Sequence, residues 1–190
     1  MSGFIRRVVT GHDAAGKAIV VSDGLTPTLK TNPLRPGFRS TDVWKTDSAP
    51  ARIAKEQADP TLAPYQIPPP PRGNVFRITE LGPETDAIRN LSADGARELF
   101  KAMGAEEAST YGKTGRHPLM HRTETLDYAV ILEGELTMLL DDSEVTLKTG
   151  DVLIQRGTNH AWVNRSDKVC RILFVLIDGS YDEELGQVLK

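Results

Sequence analysis

Histidine is scarce in this 190-residue chain: His12, His117, His121 and His160 are the whole set, and three of the four fall between residues 117 and 160. Imidazole titrates near neutrality, so such a cluster suits proton transfer at ordinary pH. Two blocks hold it. The first runs His121-Arg122-Thr123-Glu124-Thr125-Leu126-Asp127 and continues to Gly134. The second runs Gly150-Asp151 through Gln155-Arg156-Gly157-Thr158-Asn159-His160, with Asn164 behind it. Arg156 precedes Gly157 at a turn beside the expected pocket, where a guanidinium would grip a substrate carboxylate, phosphate or enolate. Arg122 follows His121 on an extended segment and should point the other way, toward a surface ion pair with Glu124 or Glu135. Tyr128 and Trp162 would either line an aromatic pocket or pack in the core. His117 is left undirected by the turn at Pro118, and His12 sits in an expected hairpin loop, solvated.

The elements that must position these residues are short strands. Leu126–Leu132, Glu135–Leu140, Glu144–Lys148, Val152–Gln155, Asn159–Asn164 and Val169–Ile177 are separated by turns of two to four residues, among them Glu133-Gly134, Asp141-Asp142-Ser143 and Thr149-Gly150-Asp151. That texture predicts an antiparallel sandwich or barrel. Upstream, Arg6–Thr10 and Ala18–Val21 read as a hairpin around Asp13–Gly16. Residues 23–39 hold Pro and Gly and read as coil; Asp42–Lys45 and Asn74–Thr79 read as strands. Pro68–Pro71 is an extended spacer. Ser92 or Asp94 caps a helix whose apolar positions are Ala96, Leu99, Phe100 and Met103, ended by Gly104. Glu183–Leu189 is a short final helix. The expected organisation is an extension over 1–80 packing on the barrel or a partner subunit, a linker with a short helix over 81–112, a barrel core over 113–179, and a tail over 180–190.

The two blocks resemble the paired signature motifs of the cupin superfamily. That family's first motif is His-x-His, three or four residues, Glu, six residues and Gly. Its second is a Gly-Asp turn, a strand, a Pro-x-Gly-like turn, His and Asn. His121 falls on the first His, Asp127 on the Glu, and Gly134 on the closing Gly. Gly150, Gly157, His160 and Asn164 fall on their counterparts, with Gln155-Arg156-Gly157 in place of Pro-x-Gly and the block one residue shorter than the commonest form. The resemblance covers residues 117–177 and implies a mainly β fold, an antiparallel jelly-roll barrel with an N-terminal strand extension and one or two short helices. It is closest to small cupins with a His-Arg-Thr…Asp-Tyr and Gln-Arg-Gly-Thr…His-Ala-Trp signature.

What the resemblance implies about chemistry depends on the departures. The family's second His is Thr123 here and its Glu is the shorter Asp127. The remaining His121, Asp127 and His160 would still form a two-His, one-carboxylate set for a divalent metal, Fe, Mn, Ni or Zn, with Gln155 or His117 completing it. Without metal, His160 and Asp127 would act as an acid–base pair, with His121 beside them and Gln155, Arg156 and Trp162 contacting substrate. The function expected is a small-molecule enzyme of dioxygenase, isomerase, lyase or dehydratase type; the alternative is a non-catalytic cupin that binds a small ligand.

Composition narrows the field further. A net charge of −3, with nine basic and six acidic residues in 1–60 against fourteen and twenty afterwards, offers no footprint for nucleic acid or an anionic membrane. Walker, dinucleotide-binding, zinc-helix and nucleophile-elbow motifs are missing from the sequence. The longest apolar run, Ile172–Ile177, is far short of the ~20 residues of a membrane helix. Cys170 is alone and reads as a small buried hydrophobe. These features predict a cytoplasmic protein with a small organic substrate or ligand. Apolar residues in 5–21 and 42–45 that need cover predict a homodimer.

Overall fold

The computed structural model describes residues 4–189. Eleven strands form in chain order: β1 (Arg6–His12), β2 (Ala18–Leu25), β3 (Lys30–Thr31), β4 (Arg39–Thr46), β5 (Asn74–Leu81), β6 (Thr125–Glu133), β7 (Glu135–Leu139), β8 (Glu144–Lys148), β9 (Val152–Arg156), β10 (Ala161–Val163) and β11 (Cys170–Asp178). Three helices join them: α1 (Asp86–Arg89), α2 (Ala93–Lys101) and α3 (Glu183–Val188). The larger sheet has the order β3-β4-β5-β11-β6-β9 and the smaller one β10-β7-β8, with every pairing antiparallel. One apolar cluster draws on both, from Val75, Ile131, Ile172 and Phe174 on the larger sheet to Leu136, Met138 and Trp162 on the smaller. The fold is therefore a mainly β jelly-roll barrel.

Alternation explains which side chains face that core. On β5, Val75, Arg77, Thr79 and Leu81 are buried while their neighbours are partly exposed; β11 buries Cys170, Ile172, Phe174 and Leu176 in the same rhythm. Period-two patterning of this kind fixes register, because a one-residue slip would turn every inward residue outward. Helix α2 covers the cluster with Ala96, Leu99 and Phe100. Ser92 caps it by accepting from the Gly95 amide at 3.1 Å. Leu99→Ala at this fully buried position would cost about 2–5 kcal/mol. Helix α1 was not expected; four residues held by the Thr85 cap are too few to show a period.

Strands β3, β4 and β5, upstream of residue 113, belong to the larger sheet rather than to an extension laid on the barrel. β5 pairs with both β4 and β11, so β3, β4 and β5 make up half of the six-stranded larger sheet. A bulge in β4 has a direct consequence. Asp42 pairs with Arg77 and Trp44 with Phe76, leaving Val43 as the extra residue. Residues three apart normally face opposite sides of a strand; the bulge resets the parity and brings Asp42 and Lys45 to one side. There Asp42 binds the Lys45 ammonium at 2.9 Å and the Arg77 guanidinium at 2.7 Å, all three buried. Arg77 also donates to the carbonyls of Gln66 at 2.6 Å and Ile67 at 3.2 Å and stacks on Tyr65.

The hairpin β1–β2 stands outside both sheets, turned by Asp13, which accepts from the amides of Ala15 and Lys17. Arg7 ties its base to the body through Asp59, the Val43 carbonyl and the Trp44 ring. β2 is exposed along its length.

Candidate functional site

Register brings the site together. On β6, Thr125, Asp127, Ala129 and Ile131 face inward. Asp127 lies opposite Leu176 of β11 on one side and Gln155 of β9 on the other. Gln155 is fully buried and oriented by Gly157, whose amide donates to Oε1 at 2.8 Å; its Nε2 lies 3.1 Å from Nδ1 of His160. His160 and His121 form an isolated antiparallel bridge, with each backbone amide donating to the other's carbonyl at 2.9 Å. Directly paired residues project to the same face, so the two rings meet with centroids 4.3 Å apart.

The imidazoles share a chemical state. Nδ1 of His121 is 3.0 Å from the Leu119 carbonyl and Nδ1 of His160 is 2.9 Å from that of Thr158. A carbonyl only accepts, so His121 carries its proton on Nδ1 and keeps Nε2 as the basic nitrogen, whereas Nδ1 of His160 lies between the Thr158 carbonyl, an acceptor, and Gln155 Nε2, a donor. Burial, and for His121 the neighbouring His160, holds both rings neutral, at about 3 for His121 and about 4 for His160. Asp127 moves the opposite way. Burial pushes its carboxyl up to about 7, with the Thr125 hydroxyl and the Arg77 charge acting against the shift, and Oδ1 has no hydrogen-bond partner.

These three groups line one cavity of about 90 Å³. Its walls are largely apolar, including Phe100, Met103, Trp162 and Phe174, with the hydroxyls of Tyr65, Thr79, Thr123 and Thr125 among them, and two guanidiniums, Arg35 and Arg77, reach it. His121, Asp127 and His160 thus line the same cavity. Trp162 is a wall residue, edge-on to His160 and to Phe174. Gln155 stands behind His160 rather than at the cavity surface.

Other expectations are corrected. Arg156 is exposed and lies outside the cavity, because Gln155 faces in and its strand neighbour must face out. Arg122 forms no ion pair with Glu124 or Glu135; it donates to the Leu189 carbonyl at 2.6 Å. Tyr128 points outward, 41% exposed. His117 accepts from the Leu119 amide at Nδ1 and pairs through Nε2 with Glu84 at 2.8 Å, away from the cavity. Sequence reasoning missed both arginines. Arg77 was legible as the one charged residue in the inward row of β5, whereas Arg35 sits between Pro33 and Pro36 in a stretch with no periodicity.

The metal set suggested by the motif does not fit. Among the described residues, no three His, Cys, Asp or Glu side chains converge to hold an ion. His121 and His160 are close, but their third partner sits by Arg77, and Thr123 at the missing-His position engages the Thr125 hydroxyl at 2.9 Å. Nor is any helix here long and apolar enough to cross a membrane.

Comparison with known proteins agrees with the fold. A family model described as a cupin domain matches residues 110–176. Phomopsin biosynthesis cluster protein C' of Diaporthe leptostromiformis is 30% identical over 189 residues, covering 96% of this chain and 83% of the relative. The cupin-domain-containing oxidoreductase fogC of Aspergillus ruber is 41% identical over 180 residues, covering 90% and 71%. Among solved structures, the Cnp3 cupin domain of Schizosaccharomyces pombe aligns at a TM-score of 0.44 with 10% identity, over 97% of this chain and 93% of that one. With the barrel, both motif blocks and a 41% identical cupin relative spanning most of each chain, this protein belongs to the cupin superfamily.

Proposed function

We propose that the protein is a small-molecule enzyme that works by metal-free acid–base chemistry, as a dehydratase or isomerase. The observation that carries this reading is a carboxyl and two imidazoles buried around one cavity, where burial inverts the ordinary order of their proton affinities. In water a carboxyl gives its proton to an imidazole; here Asp127 keeps its proton to about 7 while His160 stays neutral down to about 4. The resting site therefore holds a neutral acid and a neutral base together, as opposed pKa shifts do in other acid–base pairs.

In a dehydration, the unprotonated ring nitrogen of neutral His160 removes a proton from a carbon acidified by a neighbouring carbonyl. The electron pair forms the new C=C bond, and the C–O bond to a β-hydroxyl breaks as Asp127 protonates it, so that water leaves. Transfer of the imidazolium proton back to the Asp127 carboxylate is downhill and resets the site. In an isomerisation the same carboxyl protonates a different carbon. His121 packs against His160, and the apolar walls exclude competing water.

A second reading is favoured by the similarity to fogC, a cupin-domain-containing oxidoreductase. A redox reaction would use the same cavity but needs an electron acceptor that the three titratable groups do not assemble a site for. The discriminating experiment follows exchange of carbon-bound protons in deuterated water by proton NMR, with β-hydroxybutyrate and phenylpyruvate as probes. Exchange by the protein as purified, lost by a factor of about 10²–10⁴ in Asp127→Asn and His160→Gln, is expected. Exchange unaffected by either variant, or turnover only after ferrous iron is added, contradicts the reading. Binding without exchange supports a non-catalytic ligand-binding cupin instead.

We also propose a homodimer. Ile19, Val20, Val21 and Leu25 of β2 are 41–64% exposed, an apolar ribbon that a second copy would cover. Asp42, Val43 and Lys45, by contrast, are buried within the chain, and Trp44 is partly so.

A further inference from the structure

We infer that Arg35 is the carboxylate-binding subsite of the cavity, and that the substrate is a small carboxylic acid with an apolar body. The inference deepens the acid–base reading and rests on it only for the reacting end of the substrate. Its basis is a contrast between the two guanidiniums. Arg77 has a counter-ion and a partner on each nitrogen: Asp42 at Nε and a carbonyl at each terminal nitrogen, with Tyr65 stacked against it. Arg35 donates one hydrogen bond, from Nη2 to the Trp162 carbonyl at 2.9 Å, and among the described residues it has no ion-pair partner. The carboxylate whose charge is felt there, Glu84, is already engaged by His117 at 2.8 Å and Arg89 at 3.4 Å.

The loop that carries Arg35 is built to hold it. Asn32 accepts from the Leu34 amide at 2.9 Å and reaches the Leu99 carbonyl of α2. The amides of Arg35 and Phe38 close successive turns onto Asn32 and Arg35. Gly37 has φ +79°, and a Cβ there would lie 2.9 Å from the Gly82 Cα, so the loop backbone rests directly on the end of β5. Phe38, three residues on, packs under the guanidinium at 5.6 Å.

Charge completes the case. With both imidazoles neutral and Asp127 protonated, the lining carries two guanidiniums, and the Asp42 charge is shared between Arg77 and Lys45. The cavity holds surplus positive charge in a largely apolar enclosure, where an anion is bound strongly and a neutral molecule of the same shape is not. A guanidinium offers a carboxylate two parallel N–H donors. The unpartnered Asp127 Oδ1 then remains for a hydroxyl or carbonyl elsewhere on the same molecule.

Benzoate and its neutral isostere benzamide are suitable probes, measured by isothermal titration with the wild type, Arg35→Gln, Arg35→Lys and the surface control Arg97→Gln. The wild type should bind benzoate at least about tenfold more tightly than benzamide. Arg35→Gln should lose that preference, Arg35→Lys should keep part of it, and Arg97→Gln should behave as wild type. Thermal melts of each variant establish that it is folded. If Arg35→Gln does not fold, the Arg35→Lys affinity and the benzoate-to-benzamide ratio of the wild type still decide. Equal binding of both probes, no binding of benzoate, inorganic phosphate binding as tightly as benzoate, or full benzoate affinity in Arg35→Gln would each overturn the inference. The readouts separate the two claims. Arg35-dependent benzoate binding without proton exchange removes the acid–base reading and leaves the subsite. Exchange on neutral ketones, with no preference for acids, does the reverse.

Discussion

Two groups of buried charge occupy the same barrel and are treated in opposite ways. Asp42, Lys45 and Arg77 pair with one another, and a backbone carbonyl accepts from each terminal nitrogen of Arg77. Asp127 and Arg35 face the same enclosure with Oδ1 unpartnered and a guanidinium lacking a carboxylate. A fold that can build the first arrangement has no need of the second for stability, since unpaired buried polar groups cost free energy. The paired cluster serves the structure, and the unpaired groups await a ligand.

The sharpest way to break this contrast is to break the paired cluster. Asp42→Asn leaves Arg77 and Lys45 without their counter-ion, and a loss of about 3–5 kcal/mol in denaturant unfolding is expected. A loss below about 1 kcal/mol would show that the cluster is not structural. Next in size is the rate profile. kcat/KM for a turned-over acid should be level between about pH 4 and about pH 7, with one limb as His160 protonates and the other as Asp127 ionises. Each limb should fall about tenfold per pH unit, and Asp127→Asn should abolish the alkaline one.

A smaller effect separates the groups through stability. The native state keeps the Asp127 proton that the unfolded chain releases near 3.9, so this residue lowers stability progressively as pH rises from about 4 to about 7. The stability of Asp127→Asn relative to wild type should climb across that window and then level off. His121 and His160 work in the other direction. They are neutral when folded and charged when unfolded below about 6.5, so they lower stability as pH falls from there toward 4. The smallest change expected is at the hairpin. Val20→Lys should leave the barrel's melting temperature within a few degrees while halving the mass seen by light scattering; a wild-type monomer would contradict the dimer.

Sequence and structure agree best where period-two alternation is strong. The strands from residue 125 onward, and the meeting of His121, Asp127 and His160, follow from spacing and motif. Arg156 went astray through parity: one residue along β9 separates the buried Gln155 from the exposed arginine. Arg35 was invisible because a Pro- and Gly-containing loop has no pattern to read, and its place depends on the close approach of Gly37 to Gly82, 45 residues later. The Val43 bulge likewise hid the Asp42–Lys45 partnership, since local spacing puts those two on opposite faces. Ligand geometry was the least legible feature, because a motif fixes which side chains point inward and not how closely they converge.

The central claim is that Asp127 rests as a neutral acid beside neutral imidazoles. Carbon NMR of protein labelled at the aspartate carboxyls, with Asp127→Asn to assign the resonance, tests it directly. A titration midpoint near 7 for Asp127 is the expected result. A midpoint at or below about 4, the ordinary aspartate value, would contradict it and leave the cavity with no acid to donate.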